Sequence, residues 1–172
     1  MSLPVGDIRN VALSLVDHIR GDANLAAHHL YDSWDDAVDT MDTPQWVAPA
    51  MVLDFVDKGT PTVRAQGGPT LVKPLRFAVQ FFGRHEGPGV KEQRDDYLAA
   101  LAKRISCEDI AVGGRHIPIY DYASNAKTLL GYAEVQEVRV ETMPAAGANP
   151  RERYRGQVIV GLRFHDRKLA YG

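Results

Sequence analysis

An α+β fold, with a mostly antiparallel sheet flanked by two main helices in a single domain over residues 1–172, is what the order of periodicities predicts. Three observations lead there. Apolar residues recur at helical spacing in two main stretches, one at the N-terminus and one ending at Ile105. Strict alternation of apolar and polar residues marks strands between and after them. No internal repeat or second-domain boundary interrupts the 172 residues, and 45% hydrophobic with 24% charged residues is ordinary globular make-up.

The elements follow in chain order. Ser2 as a cap, Pro4 in the first turn and Asp7 near the positive end of the dipole open the first helix. Val5, Ile8, Ala12, Leu15 and Ile19 form its apolar stripe, and Gly21 stops it. Leu25 to Leu30 suits a short helix, whereas Tyr31 to Gln45 is acidic, poorly patterned and expected as a loop or exposed turn. Met51, Leu53 and Phe55 alternate with Val52, Asp54 and Val56, and Lys58-Gly59 supplies a turn. After the Gln66 to Pro69 breaker, Leu75, Phe77, Val79 and Phe81 give the clearest half-buried strand, with Pro74 expected at an edge or a strand entrance.

Beyond the Gly83 to Gly89 loop the period becomes 3.6. Arg94, Leu98, Leu101 and Ile105 build the second helix, with Lys91, Glu92, Asp95, Lys103 and Arg104 on its exposed face. Short strands are expected at Ile110 to Val112 and Ile117 to Tyr120. Two longer ones follow, Ala133 to Thr142 and Tyr154 to His165, joined by the Ala/Gly/Pro-rich connection Met143 to Pro150.

Composition excludes several functions. One cysteine, Cys107, rules out an intrachain disulfide and reads as a small buried apolar side chain, with no base nearby in sequence to activate it. Lys plus Arg number 20 and Asp plus Glu 22, a formal charge of −2 that disfavours a dedicated DNA-binding domain. No apolar run reaches the ~20 residues needed to span a bilayer. Asp7, Arg9, Asp17 and His18 interrupt any signal-peptide pattern, so a soluble intracellular protein without membrane attachment is expected.

Chemistry-bearing motifs are few. His28-His29 with Asp32 and Asp35/Asp36 is the nearest approach to a metal constellation, but nothing completes a zinc spacing, and a solvated acidic segment explains it as well. The loop from Gly83 to Gly89 lacks the spacing of a phosphate loop. His165 and Asp166 are adjacent on a strand and point to opposite faces, so they read as polar strand-end residues. No G-x-S-x-G supplies a nucleophile. No cofactor or catalytic residue is expected.

Charge is more informative. Residues 31–57 hold seven Asp (32, 35, 36, 39, 42, 54, 57) and no Lys, Arg or Glu, a net of −7. Residues 139–168 hold seven basic side chains, Arg139, Arg151, Arg153, Arg155, Arg163, Arg167 and Lys168, against Glu141, Glu152 and Asp166, a net of +4. Either the two segments meet within one chain, or the acidic face of one copy meets the basic face of the next. The second arrangement is head to tail, and such contacts close into rings when the rotation allows. Asp32, Asp35, Asp36 and Asp39 on one side, with Arg151, Arg153 and Arg155 on the other, are the candidate interface residues.

The element order, with the strand Pro74-Leu-Arg-Phe-Ala-Val-Gln-Phe-Phe-Gly83, the helix around Tyr97-Leu98-Ala-Ala-Leu101 and the closing strand Val158-Ile-Val-Gly-Leu-Arg-Phe-His165, resembles the tail terminator (tail completion) proteins of tailed bacteriophages. That resemblance implies a virion subunit assembled in the host cytoplasm into a homo-oligomeric ring, most often a hexamer. The ring would cap the tail tube protein, present a surface to a head-side neck protein and let DNA pass without sequence readout. It implies neither catalysis nor a cofactor. The long acidic stretch 31–46 and the connection 143–150 depart from the compact pattern. Another neck, head-closure or tail tube protein is the nearest alternative. From a different class, a metal-dependent hydrolase or nuclease would use His28, His29, Asp32 and Asp54.

Overall fold

The computed structural model describes residues 6–26, 29–32, 50–64, 70–82, 89–106, 116–123, 126–142 and 155–166. They form α1 (Asp7–Arg20), α2 (Ala23–Ala26), β1 (His29–Asp32), β2 (Ala50–Lys58), β3 (Thr62–Arg64), β4 (Thr70–Phe82), α3 (Val90–Ile105), β5 (His116–Asp121), β6 (Thr128–Thr142) and β7 (Arg155–Asp166). One sheet runs β1–β2–β4–β7–β6–β5, and β3 pairs with β4 beyond the end of β2. Every pairing is antiparallel except β1 with β2. The α+β class and the mostly antiparallel sheet expected from the sequence are therefore present.

Period-two patterning decides which side chains meet the helices. Leu75, Phe77, Val79 and Phe81 of β4 share a face with Val158, Val160, Leu162 and Phe164 of β7. Against that face pack Val11, Ala12, Leu15 and Ile19 of α1 and Leu98, Leu101 and Ile105 of α3, in one continuous core. α1 touches β5 at one end of the sheet and β1 and β2 at the other, so it lies across the strands. α3 lies over β4, β6 and β7. Burial of this apolar face is the main stabilising term, at roughly 25 cal/mol per Å² removed from water.

Several sequence expectations are corrected. α1 begins at Asp7 with the extended Gly6 as its cap, while Ser2, Pro4 and Val5 lie outside the described residues. The short helix expected over Leu25 to Leu30 is instead the single turn α2, Ala23–Ala26, whose start the Asp22 carboxylate caps by accepting the Asn24 N–H at 2.9 Å. Leu30 instead points into the core from β1, which also takes in Tyr31 and Asp32, expected as loop. β6 begins at Thr128 rather than Ala133, because β5 pairs with that earlier stretch. Pro74 stands at neither an edge nor an entrance. It lies within central strand β4, opposite Arg163 of β7. There the other partner is broken between β2 and β3, and only Gly59 N–H reaches the Pro74 carbonyl, at 3.0 Å. A residue's N–H and C=O point to the same side of a strand, so the donor that proline lacks would face that gap.

Glycine is required at the start of α3. Its cap Gly89 has φ of +79°, a conformation costly for other residues. The expected stripe is then observed: Arg94, Leu98, Leu101 and Ile105 are all buried. No helix among the described residues is long and apolar enough to cross a membrane.

Candidate assembly surface

The candidate interface residues fall at one end of the sheet or outside the described chain. Asp32 closes β1, and Arg155 opens β7. Asp35, Asp36, Asp39, Arg151 and Arg153 lie outside the described residues, as do His28, Cys107, Ile110 to Val112 and the connection 143–150. Cross-strand register puts Asp32 opposite Leu53, while Arg155 lies opposite Phe82 and, across β4, in line with Ala50. β2 and β4 thus stand between the two strands, and Asp32 and Arg155 are not brought together within the chain. His29 and Asp32, two members of the alternative metal set, sit at the two ends of four-residue β1. Asp54 is exposed on β2 and its carboxylate accepts the N–H of Phe55 at 2.8 Å. Among the described residues no group of three or more His, Cys, Asp or Glu is placed to hold a metal ion.

The sheet face opposite the helices carries a charge ladder. Asp57 and Glu137 flank Arg76 at 3.4 and 3.8 Å, and Glu137 and Glu141 flank Arg139 at 3.8 and 2.8 Å. Gln157 donates to Glu141 at 2.7 Å. Exposed pairs of this kind contribute about 0–1 kcal/mol each, so their weight is in register rather than stability. Among the described residues no ion pair joins the acidic segment 31–57 to the basic segment 139–168: Asp57 turns to Arg76 of β4, and Arg139 to its own strand. Of the two arrangements open from the sequence, the intrachain one is not made by these side chains.

Three polar clusters hold the scaffold. Lys73 on the helix-facing side of β4 binds Asp7 at the start of α1 and Asp166 at the end of β7, the latter at 2.9 Å. Its ammonium also lies 5.6 Å from the Phe164 ring centroid. Burial alone would lower its pKa, but hydrogen bonds and charge from the two carboxylates outweigh that and hold it above the usual lysine value. A cleft of about 270 Å³ opens beside this ion triad, between Ile8, Lys58, Pro61 and Leu75. Asp17 of α1 accepts from the Tyr122 hydroxyl and from Lys127 at 2.8 Å. Despite a burial penalty, these donors lower the Asp17 pKa, while burial and the Asp17 charge raise that of the Tyr122 phenol. Finally, α1 and α3 exchange bonds at their C-terminal ends. His18 Nε2 meets the Arg104 carbonyl and Arg104 Nε donates to the His18 carbonyl, both at 2.8 Å. A carbonyl only accepts, so Nε2 of His18 carries the proton.

His165 and Asp166 do point to opposite faces, but they are more than polar strand ends, since both are buried and engaged. On the face away from the helices, His165 stacks on Tyr132 at 4.7 Å, and Tyr132 meets His116 at 4.8 Å. His165 Nε2 lies 3.4 Å from Glu134 without hydrogen-bonding geometry. Burial lowers the His165 pKa, with Arg64 and His116 adding to the effect and Glu134 opposing it. One signal in the sequence could have found the Lys73 triad: Lys73 and Asp166 fall in phase with the buried apolar series of their strands, where a charge needs a partner.

No family model matches the sequence, and no curated protein matches it. Among solved structures, the chain is similar to one described as "Virion of native gene transfer agent (GTA) particle". The TM-score is 0.39 and the identity 14%, over 91% of this chain and 95% of that one.

Proposed function

We propose that this chain is a virion structural subunit that assembles head to tail into a ring, a hexamer by the resemblance given above, at the head-proximal end of a phage-type tail. There it ends tube growth and joins the tail to the neck, with DNA passing through the lumen. It makes and breaks no bonds. The observation carrying this reading is the segregation of charge along the chain, net −7 over residues 31–57 and net +4 over residues 139–168, with no ion pair between the two segments among the described residues. A second copy can satisfy both segments at once, which is how a heterologous contact propagates. Net charge of −2 also suits a conduit, which must not grip phosphate as it slides past.

The test is mass by light scattering at low and at high salt, with negative-stain microscopy of the same samples. Closed rings that loosen as salt rises are expected. A strictly monomeric protein under all conditions, including in the presence of tail tubes, refutes the proposal. Counting copies in assembled particles separates the finer roles, since one ring fits a terminator and many stacked rings a tube protein.

A further inference from the structure

Resting on that ring reading, we infer that neighbouring copies join by continuing the sheet: β1 of one copy adds, antiparallel, to the outer edge of β6 at Val140–Thr142 in the next. β5 covers β6 only from Thr128 to Glu134. Immediately beyond, a bulge between Val135 and Glu137 marks where the pairing with β5 stops. From Gln136 to Thr142, β6 is bonded on one side to β7 and on the other side to no strand among the described residues. Val140, on this stretch, is 46% exposed. An edge of this length, unpaired among the described residues, invites another strand unless it is covered.

The other open edge fits it. β1 ends the sheet at the opposite flank, bonded there to β2 alone among the described strands. Its height along the sheet is fixed by register: Asp32 lies opposite Leu53, Leu53 opposite Val79, Val79 opposite Val158, and Val158 opposite Val140. The two open edges therefore sit at the same level, away from the end that β5 and β3 occupy. Their directions also agree. β1 runs with β2, and direction alternates through β4, β7 and β6, so β1 of a second copy meets β6 antiparallel, the better-bonded arrangement. Without stagger, Val140, Glu141 and Thr142 come opposite Asp32, Tyr31 and Leu30 of the other copy. A two-fold pairing of β6 with β6 would instead close as a dimer. Twist between adjacent strands turns each added copy relative to the last, which is the rotation a ring requires.

Cross-linking tests this directly. Two single-cysteine chains are made in a Cys107→Ser background, one Val140→Cys and one Asp32→Cys, with Val138→Cys as the staggered alternative to Val140→Cys. Each is checked for native circular dichroism, mixed and oxidised. A disulfide forms only where Cα atoms come within about 7 Å, so mixed dimers exceeding both homodimers are expected. The chain carrying both Val140→Cys and Asp32→Cys then gives a ladder of bands up to the full ring. Homodimers of the Val140→Cys or Val138→Cys chain, or no cross-link in samples that light scattering finds assembled, overturn the edge contact and leave the ring standing. Monomers at every salt concentration take down both.

Discussion

Gly156→Ala isolates how α3 is seated on the sheet. A Cβ at this position would lie 2.4 Å from Leu98 Cδ1, with Leu98 Cδ2 and the Glu141 carbonyl both at 3.3 Å. Carbon atoms rest about 3.5–4.0 Å apart, so the new methyl overlaps Leu98 by roughly 1.1 Å. Leu98 is 1% exposed and has nowhere to retreat without moving α3. Over-packing of this kind costs about 1–3 kcal/mol. Alanine returns roughly 0.5–1 kcal/mol by restricting the unfolded chain. A net loss of about 1–2 kcal/mol remains, equivalent to a fall of roughly 0.5–1 M in the urea midpoint for a slope near 2 kcal/mol/M. The assay is a double-mutant cycle with Leu98→Ala, which alone costs about 2–5 kcal/mol by emptying its site. In the double variant the methyl enters space that leucine has left, so the combined loss falls short of the sum by about 1 kcal/mol or more. Additivity within about 0.5 kcal/mol would refute the close approach.

Other consequences follow from the polar clusters. Lys73→Met removes the Lys73 ammonium from beside the Asp166 carboxylate, 10% exposed, and is expected to cost about 3 kcal/mol in urea unfolding; adding Asp166→Leu recovers most of that loss. Because the folded Lys73 pKa is raised, its contribution is full below the unfolded value of about 10.4 and is lost as pH rises through the folded value, which melting curves between pH 9 and 12 detect. His165 has the opposite sign. Its folded pKa is lowered, so the unfolded chain takes the proton first, and stability falls as pH drops below about 6.5. His165→Gln removes this dependence; an unchanged difference between urea midpoints at pH 7 and 5.5 would refute it. Gly21→Ala places a Cβ 2.5 Å from Arg104 Nη2, a movable side-chain end, so it breaks the exchange with His18 rather than the core and costs about 1 kcal/mol by thermal melting, no more than Arg104→Ala.

The elements best read in advance were those whose pattern is long and local. α1, β4, α3 and β7 each present an apolar series at a single period, and each is found where that series places it. Pro74 was misplaced because its tolerance depends on a gap in a partner strand, the detour between Lys58 and Thr62, and nothing near residue 74 in sequence records that gap. Leu30 lies in a stretch too short for either period to dominate, so helix and strand are not separable there from sequence. Charge counts alone point to the candidate interface residues. Of them, Asp32 and Arg155 take positions in the sheet, on different flanks. The Lys73 triad went unread although its charges fall in the apolar phase.

Local periodicity, composition and charge order by themselves determined the class of fold, the two helices, the principal strands and the presence of an acidic and a basic segment. Those properties depend on residues a few positions apart. The parallel β1, the placement of α1 across the sheet, the ion triad joining Asp7, Lys73 and Asp166, and the matching heights of β1 and the end of β6 were decided only in the tertiary structure. Each depends on which distant strands become neighbours and in what register, a choice made by burying one shared apolar face, and no window of the sequence contains it.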